Sequence, residues 1–179
     1  MASLNDNLFT TLVNYTTNRE FGCYLQTCWG ALKVNITPKG VESIAFEDGA
    51  RPEVTDDSVF RAPFMDWLSA YLNTSTDGQW RALCPQGTDF QQTVWRALLD
   101  IPIGEQMTYK QIATIIDQPN ASRAVGSAIA ANPIALLIPC HRVVPQSGGP
   151  GNYRWGPDRK FALLEAERLA NASVYQLFQ

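Results

Sequence analysis

Residues 138–144 read Ile138-Pro139-Cys140-His141-Arg142-Val143-Val144, a Cys-His pair inside an apolar run, and His141 is the only histidine among 179 residues. Chemistry that needs an imidazole as base, ligand or proton shuttle must pass through this one position, beside the strongest candidate nucleophile in the chain. A free thiol titrates near about 8.5, so at neutral pH little of it is thiolate, and a nucleophilic Cys140 needs a neighbouring base or positive charge. His141 and Arg142 are the nearest sources. Consecutive side chains of an extended segment point to opposite sides, so His141 reaches Cys140 only through a turn or a bridging water.

A third group comes from the C-terminal helix. On a helical wheel Glu167 falls between Leu163 and Leu164, inward positions where a carboxylate is costly unless paired. Two pairings are open: a Glu167, His141, Cys140 relay, or an ordinary ion pair from an arginine or lysine to Glu167.

The elements that must position these groups fall into two halves, and we read residues 1–86 as an α/β domain and 87–179 as a mostly helical one. Residues 30–36 and 41–46 alternate apolar and polar types around a Pro38-Lys39-Gly40 break, which predicts an antiparallel hairpin. Phe60, Phe64, Trp67, Leu68, Tyr71 and Leu72 recur at helical spacing and should cover the sheet as core residues, with no cofactor box. Residues 73–78 read as a polar loop, and 85–87 as the boundary.

In the second half, Asp89-Phe90-Gln91-Gln92 matches a capping box opening a helix through Val94, Trp95, Leu98 and Leu99. Thr108 can cap the next helix, with Ile112, Ile115 and Ile116 on one face, which stops near Asp117-Gln118-Pro119-Asn120. Another runs from about Ala121 to Asn132-Pro133. Two short helices joined by a tight turn resemble a helix-turn-helix, a weak signal on spacing alone. In the second of them Val125 and Ile129 should face the core, while Arg123, Ser127 and Ala130 share another face with Gly126 alongside. A mid-helix glycine costs about 1 kcal/mol relative to alanine, so something should approach this face closely. A minor groove about 6 Å wide would need such a slim face; packing against another protein element would serve equally well.

Composition bounds the rest. A chain that is 45% hydrophobic with five tryptophans can build a core without staples. Four cysteines without dense regular spacing argue against a disulfide-framed scaffold and for reduced thiols. The start lacks a basic then apolar leader and no run is long enough to span a bilayer, so a soluble cytoplasmic protein without membrane partners is expected. Residues 1–84 hold six Lys/Arg against ten Asp/Glu and residues 85–179 eight against seven, so the second half tolerates a polyanionic partner without demanding one.

Together, residues 90–95 (Phe-Gln-Gln-Thr-Val-Trp), 107–113 (Met-Thr-Tyr-Lys-Gln-Ile-Ala), Ser122-Arg123-Ala124-Val125-Gly126, Ala131-Asn132-Pro133 and the 138–144 run follow the order of one family. The chain resembles the O6-alkylguanine-DNA alkyltransferases, also called methylated-DNA–protein-cysteine methyltransferases, strongly over residues 88–168 and only generally before them. The resemblance implies a ribonuclease-H-like N-terminal domain of antiparallel sheet plus helix, then a helix-turn-helix domain that binds the minor groove of double-stranded DNA. It implies direct repair, in which the thiolate of Cys140 irreversibly takes the alkyl group of O6-alkylguanine, or of O4-alkylthymine, once per protein molecule. Catalysis falls to Cys140, His141, Glu167 and Tyr109, with Glu167 and His141 deprotonating Cys140 through a water and Tyr109 assisting the leaving guanine. Arg123 takes the place of the flipped nucleotide, Asn132 organises the turn that builds the site, and Tyr153 lines the guanine pocket. Ser127, Ala130 and Val143 complete the DNA- and substrate-binding set. No metal and no organic cofactor is implied, and a monomer is expected, nucleoid-associated in a bacterial source.

Two departures bear on substrate range. Ala135 stands at a pocket-wall position where some relatives carry proline, and Arg154-Trp155-Gly156 replaces small residues after Tyr153. Zinc, found in some relatives, is not supported, since Cys23, Cys28 and Cys84 lack histidine partners. Competing functions are a non-repairing lesion sensor, which would lack the reactive cysteine, and a Cys-His hydrolase, which would need an oxyanion hole and turnover. A regulatory methyl sensor would need a further DNA- and metal-binding domain.

Overall fold

Strands β1 (Phe21–Thr27), β2 (Gly30–Thr37) and β3 (Gly40–Glu47) form an antiparallel meander in the order β1-β2-β3. The computed structural model describes residues 21–27, 29–49, 64, 66, 68 and 75–170, and the chain divides between Pro85 and Gln86 into two units. The expected β2–β3 hairpin is present, with Val34 opposite Ile44 and Leu32 opposite Phe46, and a bulge between Asn35 and Ile36. Leu32, Val34, Ile36, Val41 and Ile44 are fully buried, each worth about 1.5–3 kcal/mol of apolar transfer. Gly40 turns the hairpin at φ +143°, where a Cβ would come within 2.7 Å of the Ala82 carbonyl oxygen that receives the Val41 N–H.

Strand β1 has no counterpart in the expectation, because Gly22 and Cys23 interrupt its alternation. Of the aromatic stripe, Phe64 and Leu68 are helical and fully buried; Phe60, Trp67, Tyr71 and Leu72 lie outside the described residues. The polar loop expected over 73–78 is corrected in part: α1 (Thr76–Arg81) begins inside it, because the Ser75 hydroxyl caps the Gly78 N–H at 3.3 Å and Asp77 complements the first turn.

The second unit contains α2 (Asp89–Leu98), β4 (Met107–Thr108), α3 (Tyr109–Ile115), α4 (Ser122–Ala130), a 3-10 turn (Cys140–Arg142), β5 (Val143–Val144) and α5 (Pro157–Ala170). The capping box of α2 sits one residue earlier than expected. Thr88, in extended conformation, accepts from the Gln91 N–H, and Gln91 accepts from Thr88, so Asp89 occupies the first helical position. Thr108 caps α3 with the same reciprocal pair to Gln111, and α3 ends before Asp117 at φ +57°.

The inward stripe of α3 is Ile112 and Ala113. Ile115, expected inside, is 47% exposed, since in a seven-residue helix it falls off the face that meets α4. On α4, Val125, Ala128 and Ile129 are buried, and the Trp95 indole N–H donates to the Ala128 carbonyl at 2.7 Å, tying α2 to α4. The two-residue strands β4 and β5 pair in parallel, Met107 with Val143, which sets the 3-10 turn beside the start of α3. Among the described residues no helix is long and apolar enough to cross a membrane.

Candidate active site

Asn132 is fully buried in the turn after α4, and its side chain holds the segment that presents Cys140. Oδ1 accepts the Ile134 N–H at 2.9 Å, while Nδ2 lies 3.2 Å from the Ile134 carbonyl, 3.0 Å from that of Ile138 and 3.1 Å from Cys140 Sγ. Leu136 within this turn stands at φ +68°, a left-handed conformation that a leucine keeps only when its surroundings impose it. Asn132→Ala would strand these buried groups, so it is expected to lower the unfolding free energy by about 2–4 kcal/mol in denaturant titration. A loss under about 0.5 kcal/mol would mean the turn stands without them.

The 3-10 turn removes the geometric objection raised by an extended Cys-His pair. The Arg142 N–H donates to Pro139 at 3.0 Å, and Cys140, His141 and Arg142 are all buried, with His141 directed to α5. There the Glu167–His141 link of the relay and the arginine ion pair occur together. Glu167 Oε1 lies 2.9 Å from His141 Nε2 and 2.9 Å from Arg142 Nη2, and Arg142 Nε reaches both carboxylate oxygens. The Gly104 N–H donates to Oε2 at 3.3 Å, and Arg142 Nη1 donates to the Ile101 carbonyl at 2.6 Å.

Protonation states follow. Burial alone would raise the Glu167 carboxyl, but hydrogen bonds and charge from His141 and Arg142 outweigh it and hold it at about 2. Burial lowers His141 below the usual imidazole value despite Glu167, so the ring is neutral at pH 7. A carboxylate only accepts, so Nε2 carries the proton, and Nδ1 is an unprotonated lone pair. Nδ1 is buried and has no hydrogen-bond partner among the described residues.

Burial also pushes the Cys140 thiol up to about 11, against the Asn132 N–H and the charges of Lys160 and Arg154, which favour thiolate. Cys140 therefore needs a proton acceptor when it reacts. Lys160, which the sequence reading missed, is 1% exposed on α5; its Nζ donates to the Val143 carbonyl at 2.5 Å and reaches that of Asn152 at 3.5 Å. Burial lowers it to about 8, opposed by Cys140. The signal was available: Lys160, Leu163 and Glu167 stand at i, i+3 and i+7, one inward stripe.

Cys140 opens onto a cleft of about 910 Å³ shared with Tyr109, Arg123, Ser127, Ala130 and Tyr153 of the expected set. Arg123, Ser127 and Ala130 are exposed on α4, and the Tyr109 ring lies 3.7 Å from where a Gly126 Cβ would stand. That is ordinary contact, so protein packing does not require the glycine. Burial raises the Tyr109 and Tyr153 hydroxyls, with Cys140 adding to both, and the Tyr153 hydroxyl is buried without a partner among the described residues. His141, Glu167 and Asn132 stand behind Cys140, off the cleft. Val143 and Ala135 do not line it either: Val143 is buried in β5, and Ala135, placed in the pocket wall by the sequence reading, is fully buried in the Asn132 turn. Of the other cysteines, Cys84 lies 3.4 Å from Thr37 Oγ1, while Cys28 and the side chain of Cys23 are outside the described residues.

Known proteins resemble this chain in sequence and in fold. The model of "6-O-methylguanine DNA methyltransferase, DNA binding domain" matches residues 89–169. The methylated-DNA–protein-cysteine methyltransferase of Methanosarcina barkeri is 42% identical over 134 residues, 72% of this chain and 85% of that protein. Its namesake from Mycobacterium bovis is 55% identical over 114 residues, 64% of this chain and 69% of that protein. The crystal structure of Mycobacterium tuberculosis OGT in complex with DNA superposes with a TM-score of 0.63 at 35% identity, covering 87% of this chain and 98% of that one.

Proposed function

The chain belongs to the methylated-DNA–protein-cysteine methyltransferase family, and on that premise we propose that it repairs DNA by moving the alkyl group of O6-alkylguanine irreversibly to Cys140. One observation carries the residue assignment. The Glu167 carboxylate fixes the proton of neutral His141 on Nε2 and leaves Nδ1 as the one imidazole base for a buried thiol whose sulfur Asn132 holds.

In this reading Nδ1 takes the Cys140 proton through a water, the sulfur attacks the alkyl carbon, and the S–C bond forms as the C–O6 bond breaks. The electron pair goes to O6, and Tyr109, at the cleft, donates a hydrogen bond or proton to the departing guanine. The Asn132 N–H and the Lys160 ammonium stabilise the sulfur's negative charge during attack. A thioether is a poor leaving group, so the protein is consumed.

The DNA partner enters through α3 and α4, which we read as a helix-turn-helix on the minor groove, with Arg123 filling the stack where the guanine leaves. The exposed, small-residue face of α4 and the absence of any packing need for Gly126 support that reading over burial against protein. Ser127 and Ala130 would lie along the groove, and Tyr153 would wall the guanine pocket. We further read residues 1–86 as a ribonuclease-H-like domain and 87–179 as the acceptor domain of a monomer acting in the cytoplasm or nucleoid.

The test is intact-mass analysis after incubation with a duplex holding one O6-methylguanine. One methyl per protein, mapped to Cys140 and capped by the protein-to-lesion ratio, is the expected result. Repeated turnover, or methylation of Cys23, Cys28 or Cys84, would overturn the assignment.

A further inference from the structure

Among the described residues, the charged side chains that line the Cys140 cleft are Arg123 and Arg154, with no carboxylate beside them. Both guanidinium-bearing residues are exposed, Arg123 on α4, but Arg154 is anchored. Its Nη1 donates to the Asn132 main-chain carbonyl at 3.2 Å, and its guanidinium carbon lies 5.6 Å from the centre of the Trp155 ring. The turn that carries it is closed by the Gly156 N–H on Tyr153, with Gly156 at φ +96°. Because the Asn132 side chain meets Cys140 Sγ at 3.1 Å, one residue links the guanidinium to the reacting sulfur. A guanidinium has five N–H donors in a fork suited to carboxylates, and the bond to Asn132 uses one.

A cation so placed matters most when the transferred group is itself an anion. A carboxylate attached to the alkyl carbon lies within a few ångströms of the incoming thiolate, and two like charges at that separation oppose the approach. Pairing the carboxylate with a fixed guanidinium removes most of that opposition, whereas a methyl group offers nothing to pair. Resting on the alkyl-transfer reading above, we propose that Arg154 is a specificity residue that admits short anionic adducts, with O6-carboxymethylguanine as the substrate class. The bonds change as for methyl: S–CH2 forms, CH2–O6 breaks with its electron pair passing to O6, the guanine takes up a proton, and the carboxylate is carried unchanged onto Cys140.

Single-turnover rates at saturating protein test this, on duplexes carrying one O6-methyl-, O6-carboxymethyl- or O6-carbamoylmethylguanine, the last matching carboxymethyl in size without its charge. Arg154→Gln should slow carboxymethyl transfer about tenfold more than methyl or carbamoylmethyl transfer, and Arg154→Lys should recover part of that difference. Equal slowing of all three adducts would overturn the proposal and leave Arg154 as a general support of the thiolate or a DNA contact. Equal loss on both larger adducts would overturn it in favour of bulk. Failure of the unaltered protein to take methyl onto Cys140 would overturn the transfer reading itself, a separate outcome from any change in these ratios.

Discussion

Glu167→Ala is expected to lower the unfolding free energy by about 3–5 kcal/mol and to slow alkyl transfer about 10²–10⁴-fold at neutral pH. The stability loss arises because Glu167 is the acceptor for both His141 Nε2 and the Arg142 guanidinium, all buried. Among the described residues, alanine leaves the Arg142 side chain with the Ile101 carbonyl as its one remaining hydrogen-bond acceptor, an uncompensated charge in the interior. The rate loss has a different origin: without a carboxylate on Nε2 the tautomer is no longer fixed, and Nδ1 ceases to be the obligatory base. Raising the pH should recover part of the rate, because solvent then supplies thiolate directly.

The same group sets an acid limb. The folded carboxyl titrates at about 2 against an ordinary 4.5, so its contribution is complete above about 4.5 and is lost as pH falls toward 2. At the ordinary conversion that is about 3 kcal/mol. His141 acts earlier: its folded value is lowered, so below about 6.5 the unfolded chain binds a proton that the folded one refuses, and stability declines with falling pH. Denaturant titrations from pH 8 to 3 should show both slopes in the unaltered protein and lose the lower one in Glu167→Ala. An unchanged acid limb, or wild-type transfer at pH 7, would remove Glu167 from the relay.

What the sequence made legible was local and periodic. The hairpin of β2 and β3, the Thr108 cap and the Val125/Ile129 face of α4 follow from spacings of two and four and from one hydroxyl at a helix start. Glu167 was identified because a carboxylate on an apolar stripe must find a partner, yet the stripe could not say whether histidine or arginine would meet it; the 3-10 turn brings both. Lys160 escaped for the converse reason: lysine is so commonly a surface residue that its place on the same stripe carried no weight, and the carbonyls of Val143 and Asn152 that hold it are set by loops without periodicity. The shift of the α2 cap from Asp89 to Thr88 and the start of α1 at Ser75 are one- to three-residue matters, decided by which side chain reaches an orphan N–H.

Arg123→Ala separates two roles that a groove-facing arginine can have. If the guanidinium only neutralises a phosphate, its loss should weaken DNA binding, flatten the salt dependence by about one counterion and leave the chemical step intact once protein saturates the duplex. If it fills the gap left by the flipped base, the deficit persists at saturation. Extruding a nucleotide costs a few kcal/mol of unstacking, so removing the side chain that offsets part of it should slow duplex repair about 10²-fold. A free O6-alkylguanine base has no stack to leave. Arg123 stands exposed on α4 at the rim of the cleft, while Asn132, His141 and Glu167 lie behind Cys140, so its removal should spare reaction with the free base. We therefore expect Arg123→Ala to lose about 10²-fold on the duplex at saturation and less than about threefold on the free base, measured as single-turnover rates of Cys140 alkylation. Equal losses on both would place Arg123 in support of the pocket and end its assignment to base flipping.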